Sequence, residues 1–427
     1  MCALVFVKRK IAALALVALA GCRVPVPHES WFITPTPSAP TPAPTPPPAL
    51  RAGTSGDYRP FSFRDADGML TGFDIKVAEH FALYLGRKLE LVPFRWPELT
   101  SQLHAGAFDI AMSGVTIGPA RALHMAFTRP YAVTGAVAVI RAADTAKFRT
   151  VEALDHPNIR IVVNAGGHLE QVARQHFRRA RITPVTDNAA LPTLLLNGEA
   201  DAAISEELEA RTWPSVQLAV LGPFTRDYKA YALRPDDADL LRRLNAWLAA
   251  QEGNGWLNAQ RRKWFTGPTA RSPQQAGFEA LVAAMELRLQ LMPYVAAVKR
   301  REHLAVHDVA QEARVLAHVR AEAEAEKLNP DDVAAVFRAQ IDAAKSVEEH
   351  APAITTDAAL ADVRAAVARA SDSIIAELGR CAPWLREPEL RDQLQAMLRR
   401  SLTGSGLTPR MIDGLVEATC SVRLAGH

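Results

Sequence analysis

Arg288 and Lys299 stand eleven residues apart. At about 100° per residue that separation is three helical turns plus about 20°, so both side chains leave one face of a helix. They stand beside Leu281, Met285, Met292 and Val295. Cations beside apolar positions either cover core edges with their stems or hold an anion. Further along, Phe337, Gln340, Ala344 and Glu348 recur at spacings of three, four and four, which puts an amide and a carboxylate on one stripe. A different cluster, Ser205 to Arg211 (SEELEAR), carries three glutamates and by pattern alone reads as a solvated helix face.

The elements that must position these groups are of two kinds. Between Gly53 and Gly267 the short apolar runs LELVPF, DIAMSG, VAVIR, RIVVNAGG and ADAAIS alternate with helical stretches such as Phe73 to Leu85 and His168 to Phe177. That alternation predicts α/β architecture with parallel sheets. The blocks Gly53 to Arg141 and Asp144 to Leu233, with a helical return from Asp236 to Phe265, predict two lobes around a cleft. After the linker GPTARSPQQAG (267–277) almost nothing reads as strand. Helical spacing covers roughly 278–302, 308–327, 330–350, 356–380, 386–402 and 408–424. Asn329-Pro330-Asp331-Asp332 is a helix start, with a capping side chain, a first-turn proline and acids near the positive end. The expected fold is therefore multidomain: an α/β two-lobed domain (51–266), a linker (267–277) and an all-α domain (278–427). The linker has few large apolar residues to bury, which predicts separate cores and a modest mutual interface.

The first residues read as an address. Lys8, Arg9 and Lys10 precede the apolar run Ile11 to Ala20, too short for a stable membrane span, as in an export signal. Leu19-Ala20-Gly21-Cys22 resembles the bacterial lipobox, which implies lipidation at Cys22, a signal peptide over 1–22 and, with Arg23 next, the periplasmic side of the outer membrane. Residues 23–50 are rich in Pro, Thr and Ala and predict a semi-extended spacer. No later apolar run reaches spanning length, so the expected membrane contact is the lipid alone. Cys381 and Cys420 are the only cysteines after Cys22, and an even pair in an oxidising compartment predicts a disulfide. Lys and Arg number 49 against 46 Asp and Glu, with no basic stripe, which argues against a nucleic-acid partner.

The stretches GTSGDYRPFSF, GFDIKVAEHFA and FDIAMSGVTIGPARALHMAFTRPY resemble the type II periplasmic solute-binding proteins of the amino-acid class. Thr116, Pro119 and Arg121 keep that family's T-x-x-P-x-R pattern, which implies a bidentate grip by Arg121 on a ligand carboxylate. GTSGDYRPFSF, RWPEL, IVVNAGG and SEELEAR, with YKAYALRPDD, look like the enzymatic branch, the exported cyclohexadienyl dehydratases. That resemblance implies Glu209 as general acid, Lys229 as a second carboxylate holder, and Asp57, Tyr58, Trp96, Ser113 and Asn164 around the substrate. Ala165 and His168-Leu169 depart from its pattern, where Pro and Thr-Asn are expected. A protonated His168 would replace the missing hydroxyl contact. The rival reading is a non-catalytic binding module with Glu206 as the ammonium acceptor.

The helical region, from LVAAMELRLQLMPYVAAVKRREHLAVHDVAQEARVL through NPDDVAAVFRAQIDAAKSVE, resembles the secreted gamma subclass of the AroQ-type chorismate mutases. This implies that Arg288, Lys299 and Arg364 bind two substrate carboxylates and an ether oxygen. Asp308 and Glu312 would take the ring hydroxyl and nearby polar roles, Glu348 would face the ether oxygen, and Gln311 and Ala344 would line the site. Gln311 stands where an Arg is expected. The two resemblances interlock, since the product of the helical domain, prephenate, is the substrate of the other. They imply an exported bifunctional enzyme acting on chorismate and on prephenate or arogenate, with no cofactor and no metal. A homo-oligomer is left open.

Overall fold

The computed structural model describes residues 48–426. The expected signal, Cys22 and all but the end of the Pro-rich spacer lie outside them. Strand β1 (Leu50–Thr54) opens the first lobe. Helix α1 (Phe73–Tyr84) follows and buries Phe73, Ile75, Val77, Ala78 and Phe81. Then come β2 (Leu89–Pro93), β3 (Ile110–Ala111), the short helix α2 (Pro119–Ala122) and β4 (Ala126–Phe127).

Strand β5 (Ala132–Thr134) leaves this lobe, and β6 (Ala136–Arg141), an almost wholly buried AVAVIR run, begins the second. The second lobe continues with β7 (Arg160–Asn164), α3 (His168–His176), β8 (Arg181–Val185), β9 (Ala202–Glu206), α4 (Glu207–Ala210) and β10 (Leu218–Leu221). The chain returns through β11 (Asp227–Lys229), antiparallel to β5, into β12 (Ala232–Leu233). The sheets run β2-β1-β3-β12-β4 and β8-β7-β9-β6-β10, and the β5–β11 ribbon is the hinge. The expected lobes were consecutive blocks. Instead β6 belongs to the second lobe and β12 to the first, because the chain crosses the hinge twice. Helices α5 (Ala238–Gly253) and α6 (Trp256–Trp264) pack Leu244, Trp247 and Leu257 into the first lobe's core beside Phe73 and Phe81.

The rest is helical, as expected: α7 (Pro273–Gln290), α8 (Met292–Arg301), α9 (Val309–Ala325), α10 (Pro330–His350), α11 (Leu360–Cys381), α12 (Pro388–Leu402) and α13 (Pro409–Cys420). Two boundaries differ. α7 starts inside the expected linker, because Ser272 Oγ accepts from Gln275 N at 3.0 Å and Pro273 fits the first turn. The first expected helix divides at Leu291, since Pro293 has no amide to continue the ladder. Contrary to expectation, Pro273–Arg301 is long and apolar enough to cross a membrane, but 78% of its most apolar window is buried inside the fold. Asn329 caps α10 as predicted, its Oδ1 accepting from Asp331 N at 2.9 Å and Asp332 N at 3.2 Å.

The main cores stay within their own domains, as expected, but a few residues of the first lobe and the hinge are buried in the helical cores across the joint. Tyr228 of the hinge is buried among Phe278, Leu281 and Val282, and Ala122 and Leu123 among Leu291, Met292 and Val295. Arg129 of the first lobe pairs with Glu377 of α11 at 3.5 Å, their side chains 7% and 6% exposed. Arg271 Nη2 donates to the Pro130 carbonyl at 3.4 Å and lies 3.5 Å from Glu252 Oε2 of α5, and Arg369 donates to the Ala122 carbonyl at 2.7 Å. Apart from Arg271, the joint is made by surfaces remote from the linker, which is why the linker's composition did not reveal it. Removing Arg129 leaves the buried Glu377 with Arg380 alone, at 3.1 Å. Because that pair remains, Arg129→Ala should cost less than the roughly 3–5 kcal/mol of breaking a buried pair outright, read in urea unfolding. Arg242→Ala, which breaks an exposed pair with Asp239, should leave the midpoint almost unchanged.

Candidate active sites

In the cleft, Glu209 is carried by α4, whose first turn is closed by Glu206: its carboxylate accepts from Leu208 N at 3.1 Å and Glu209 N at 3.3 Å. Glu209 is buried, with Oε1 accepting from Asn188 Nδ2 and Oε2 bonded to Ser205 Oγ at 2.7 Å. Burial, reinforced by the charges of Glu206 and Asp57, pushes its carboxyl up to about 8. Burial also pushes Glu206 up to about 7, against the pull of Lys229. At neutrality Glu209 holds a proton, the state a general acid needs. The solvated-face reading of SEELEAR is thus wrong for Glu206 and Glu209, which are 0% and 3% exposed.

The cavity at the cleft is closed to about 20 Å³, and Tyr58, Trp96, Thr116, Arg121, Asn164, His168, Asn188 and Lys229 are on its wall. Arg121, on α2, is half-buried, and among the described residues no carboxylate lies within ion-pair distance of it. Burial lowers its guanidinium to about 10, still charged at neutrality. Lys229 Nζ donates to Thr116 Oγ1 at 2.9 Å and Tyr58 OH at 3.3 Å. His168 Nε2 lies 3.2 Å from Asp227 Oδ1. Burial alone would raise Asp227, but His168 and Lys229 together hold it below the usual carboxylate range.

Three expected residues sit otherwise. Ser113 is off the wall, locked by Ser62 Oγ at 2.6 Å and Ser55 Oγ at 2.8 Å. Asp57 and Glu209 are also off it, with Asn188 in front, donating to the Asp57 carbonyl at 3.4 Å. Nothing in the sequence singled out Asn188. Ser205 lay unremarked inside SEELEAR.

The helical site is a cavity of about 370 Å³ that includes Arg288, Lys299, Asp308, Gln311, Glu312, Ala344, Glu348 and Arg364, the whole set expected there. Arg288 is buried, donating to Ser371 Oγ and Gln340 Oε1, each at 3.2 Å, and burial lowers it to about 10. Lys299 Nζ donates to Glu348 Oε2 at 2.8 Å and to the Val306 carbonyl at 2.9 Å. Burial raises Glu348 although Lys299 opposes it. Asp308 caps α9 through Gln311 N at 2.9 Å, and its other oxygen lies 3.4 Å from Arg364 Nη2. Glu312 pairs with Lys345 at 3.2 Å.

The expected disulfide is not formed. Cys381 and Cys420 are free thiols buried in one core cluster, and burial in apolar surroundings raises both, Cys420 to about 12, disfavouring the reactive thiolate. Among the described residues no group of three or more His, Cys, Asp or Glu is placed to hold a metal ion.

Residues 50–267, half of the chain, match the bacterial extracellular solute-binding proteins, family 3. The chain belongs to this family. Residues 279–349 match chorismate mutase type II, so the solute-binding domain is followed by a chorismate mutase domain. Among curated relatives, cyclohexadienyl dehydratase of Pseudomonas aeruginosa is 35% identical over 228 residues, covering 52% of this chain and 85% of that protein. The L-cystine-binding protein TcyJ of Escherichia coli is 30% identical over 220 residues, covering 51% and 82%. Among solved structures, the ancestral amino acid-binding protein AncCDT-1, described as a precursor of cyclohexadienyl dehydratase, is 34% identical with a TM-score of 0.50, covering 51% of this chain and 96% of its own.

The paired acids of this solute-binding domain make a stability prediction. Their folded pKa values, about 7 and 8, lie above the ordinary value of 4.5, so the folded state holds protons that the unfolded chain releases. Their contribution is fully present below 4.5 and is lost as pH rises through 7 to 8. The Tm of the wild type should therefore fall from about pH 4.5 to about pH 8, and Glu209→Gln should flatten that fall in calorimetry. An equal slope in both proteins would mean that Glu209 is ionised throughout.

Proposed function

We propose that the chain is an exported bifunctional enzyme that rearranges chorismate to prephenate in its mutase domain and dehydrates prephenate, or arogenate, in its cleft. The proposed location is the periplasm, with a lipid on Cys22 holding the protein at the outer membrane. The observation that carries the dehydratase reading is the buried, neutral Glu209 in a cleft whose cations are Arg121 and Lys229.

Dehydration breaks the bond from ring carbon to carboxylate, releases carbon dioxide, and sends that electron pair into the ring as it becomes aromatic. The opposite carbon–oxygen bond breaks with it. Hydroxide is a poor leaving group, so a proton from Glu209 lets it depart as water. Arg121 and Lys229 hold carboxylates while the ring changes. Because Asn188 and Glu209 both belong to the second lobe and Asp57 and Tyr58 to the first, parting of the lobes uncovers the acid for substrate, and closure returns it to low dielectric.

The rearrangement in the mutase domain breaks one carbon–oxygen bond and forms one carbon–carbon bond within a single molecule. It needs the folded conformer held and the charge growing on the ether oxygen stabilised. Arg288 and Arg364 are the proposed carboxylate grips. Lys299 and Glu348, the latter shifted toward its neutral form, are the groups for the ether oxygen.

A receptor for amino acids, with Glu206 taking the ammonium, is supported by Glu206 Oε1, buried without a partner. Against it, the Lys229 charge already acts on Glu206. Incubating the full chain with prephenate and reading phenylpyruvate absorbance in alkali decides between them.

Glu209→Gln should abolish phenylpyruvate formation and leave chorismate consumption intact, and wild-type dehydration should decline as pH rises through about 8. Dehydration by the variant at the wild-type rate would remove Glu209 from the mechanism. Lys299→Ala should lower mutase kcat by about 10²- to 10³-fold, the scale of one lost oxyanion donor. An effect under about fivefold would place the developing charge elsewhere.

A further inference from the structure

Five cationic side chains, Arg288, Lys299, Arg314, Lys345 and Arg364, line the mutase cavity. Three of them face a carboxylate: Lys299 meets Glu348, Lys345 meets Glu312 and Arg364 meets Asp308, at 2.8, 3.2 and 3.4 Å. Among the described residues, Arg288 and Arg314 are the two on this wall with no carboxylate within ion-pair distance. Arg288 is at the buried floor, and Arg314 is exposed at the rim.

Arg314 is nevertheless held. Gln311 Oε1 accepts from its Nε at 3.2 Å and from its Nη2 at 2.7 Å, one turn earlier on α9. The backbone of Gln311 is fixed in turn at the start of that helix, its N–H donating to Asp308 Oδ1 at 2.9 Å. A carboxylate at position 311 would orient the guanidinium equally well but cancel its charge. A cation there would repel it. A neutral amide acceptor orients the fork and leaves its full positive charge, with Nη1 and the second Nη2 proton for another partner.

We propose that Arg314, oriented by Gln311, joins Arg364 on one carboxylate of the dianionic substrate at the rim of the mutase cavity, while Arg288 takes the other at its floor. This rests on the mutase reading above. It gives the neutral residue at 311, where a cation was expected, a positioning role, with the charge supplied from position 314.

The test uses the full chain and chorismate, following its absorbance at several ionic strengths. Arg314→Ala should raise KM about tenfold or more, the scale of one lost charge-assisted hydrogen bond, with kcat changed far less. It should also weaken the salt dependence of kcat/KM. Arg314→Lys should recover part of the loss. Gln311→Glu separates positioning from mere structure, because it keeps the acceptor and the helix but neutralises the guanidinium. It should raise KM severalfold, whereas a structural role would leave KM unmoved. If the wild type converts chorismate and both Arg314→Ala and Gln311→Glu keep KM within about twofold, the assignment is overturned and the mutase reading stands. If the wild type does not convert chorismate at all, the mutase reading falls and takes this assignment with it.

Discussion

The cleft depends on one meeting of its lobes: the Asp57–Tyr58 strand of the first lobe lies against Asn188 of the second, and behind that contact is Glu209. A carboxyl group bonded to Ser205 and Asn188 would ordinarily be pulled toward its ionised form, since both neighbours favour the charged oxygens. Exclusion of water outweighs them. The proton on Glu209 is therefore a property of the closed pair of lobes rather than of α4 alone. Glu206 strengthens it from the other side, capping the same helix and adding a second acid to one dry volume.

The mutase site meets the same constraint by another route. Its wall carries three carboxylates against five Lys and Arg side chains, and each carboxylate is paired, at distances of 2.8 to 3.4 Å. Pairing lets charge stay in a half-buried cavity, and hydrogen bonds from Arg288 to Gln340 and Ser371 do the same where no carboxylate is present.

Much of this was legible in the sequence. Alternating strands and helices gave the α/β half, and the elevenfold spacing of Arg288 and Lys299 did place both on one cavity, even though the helix divides at Leu291 between them. Asn329 and Pro330 marked a helix start because capping is local chemistry. What was not legible is long-range. The double crossing of the hinge cannot be read from consecutive blocks. Ser113 looked like a cleft residue until Ser55 and Ser62, more than fifty positions earlier, were found to occupy it. Asn188 carries no local signal, since its importance comes from a glutamate 21 residues later. Glu209 looked solvated because pattern reports charge and cannot report what covers it.

The joint between the domains has a mechanical side. Its ion pairs and hydrogen bonds come from the first lobe, the hinge and the linker: Arg129, Ala122, Tyr228 and Arg271. Among the described residues no hydrogen bond or ion pair ties the second lobe, 136–225, to anything beyond Thr266. By these contacts the first lobe and the mutase domain form one block, the stator side, and the second lobe joins it through two short strands. All the residues lining the mutase cavity come from the stator side, from Arg288 to Ser371. A swing of the second lobe on the hinge would leave the walls of that cavity in place, so the two sites share a frame without sharing a clock.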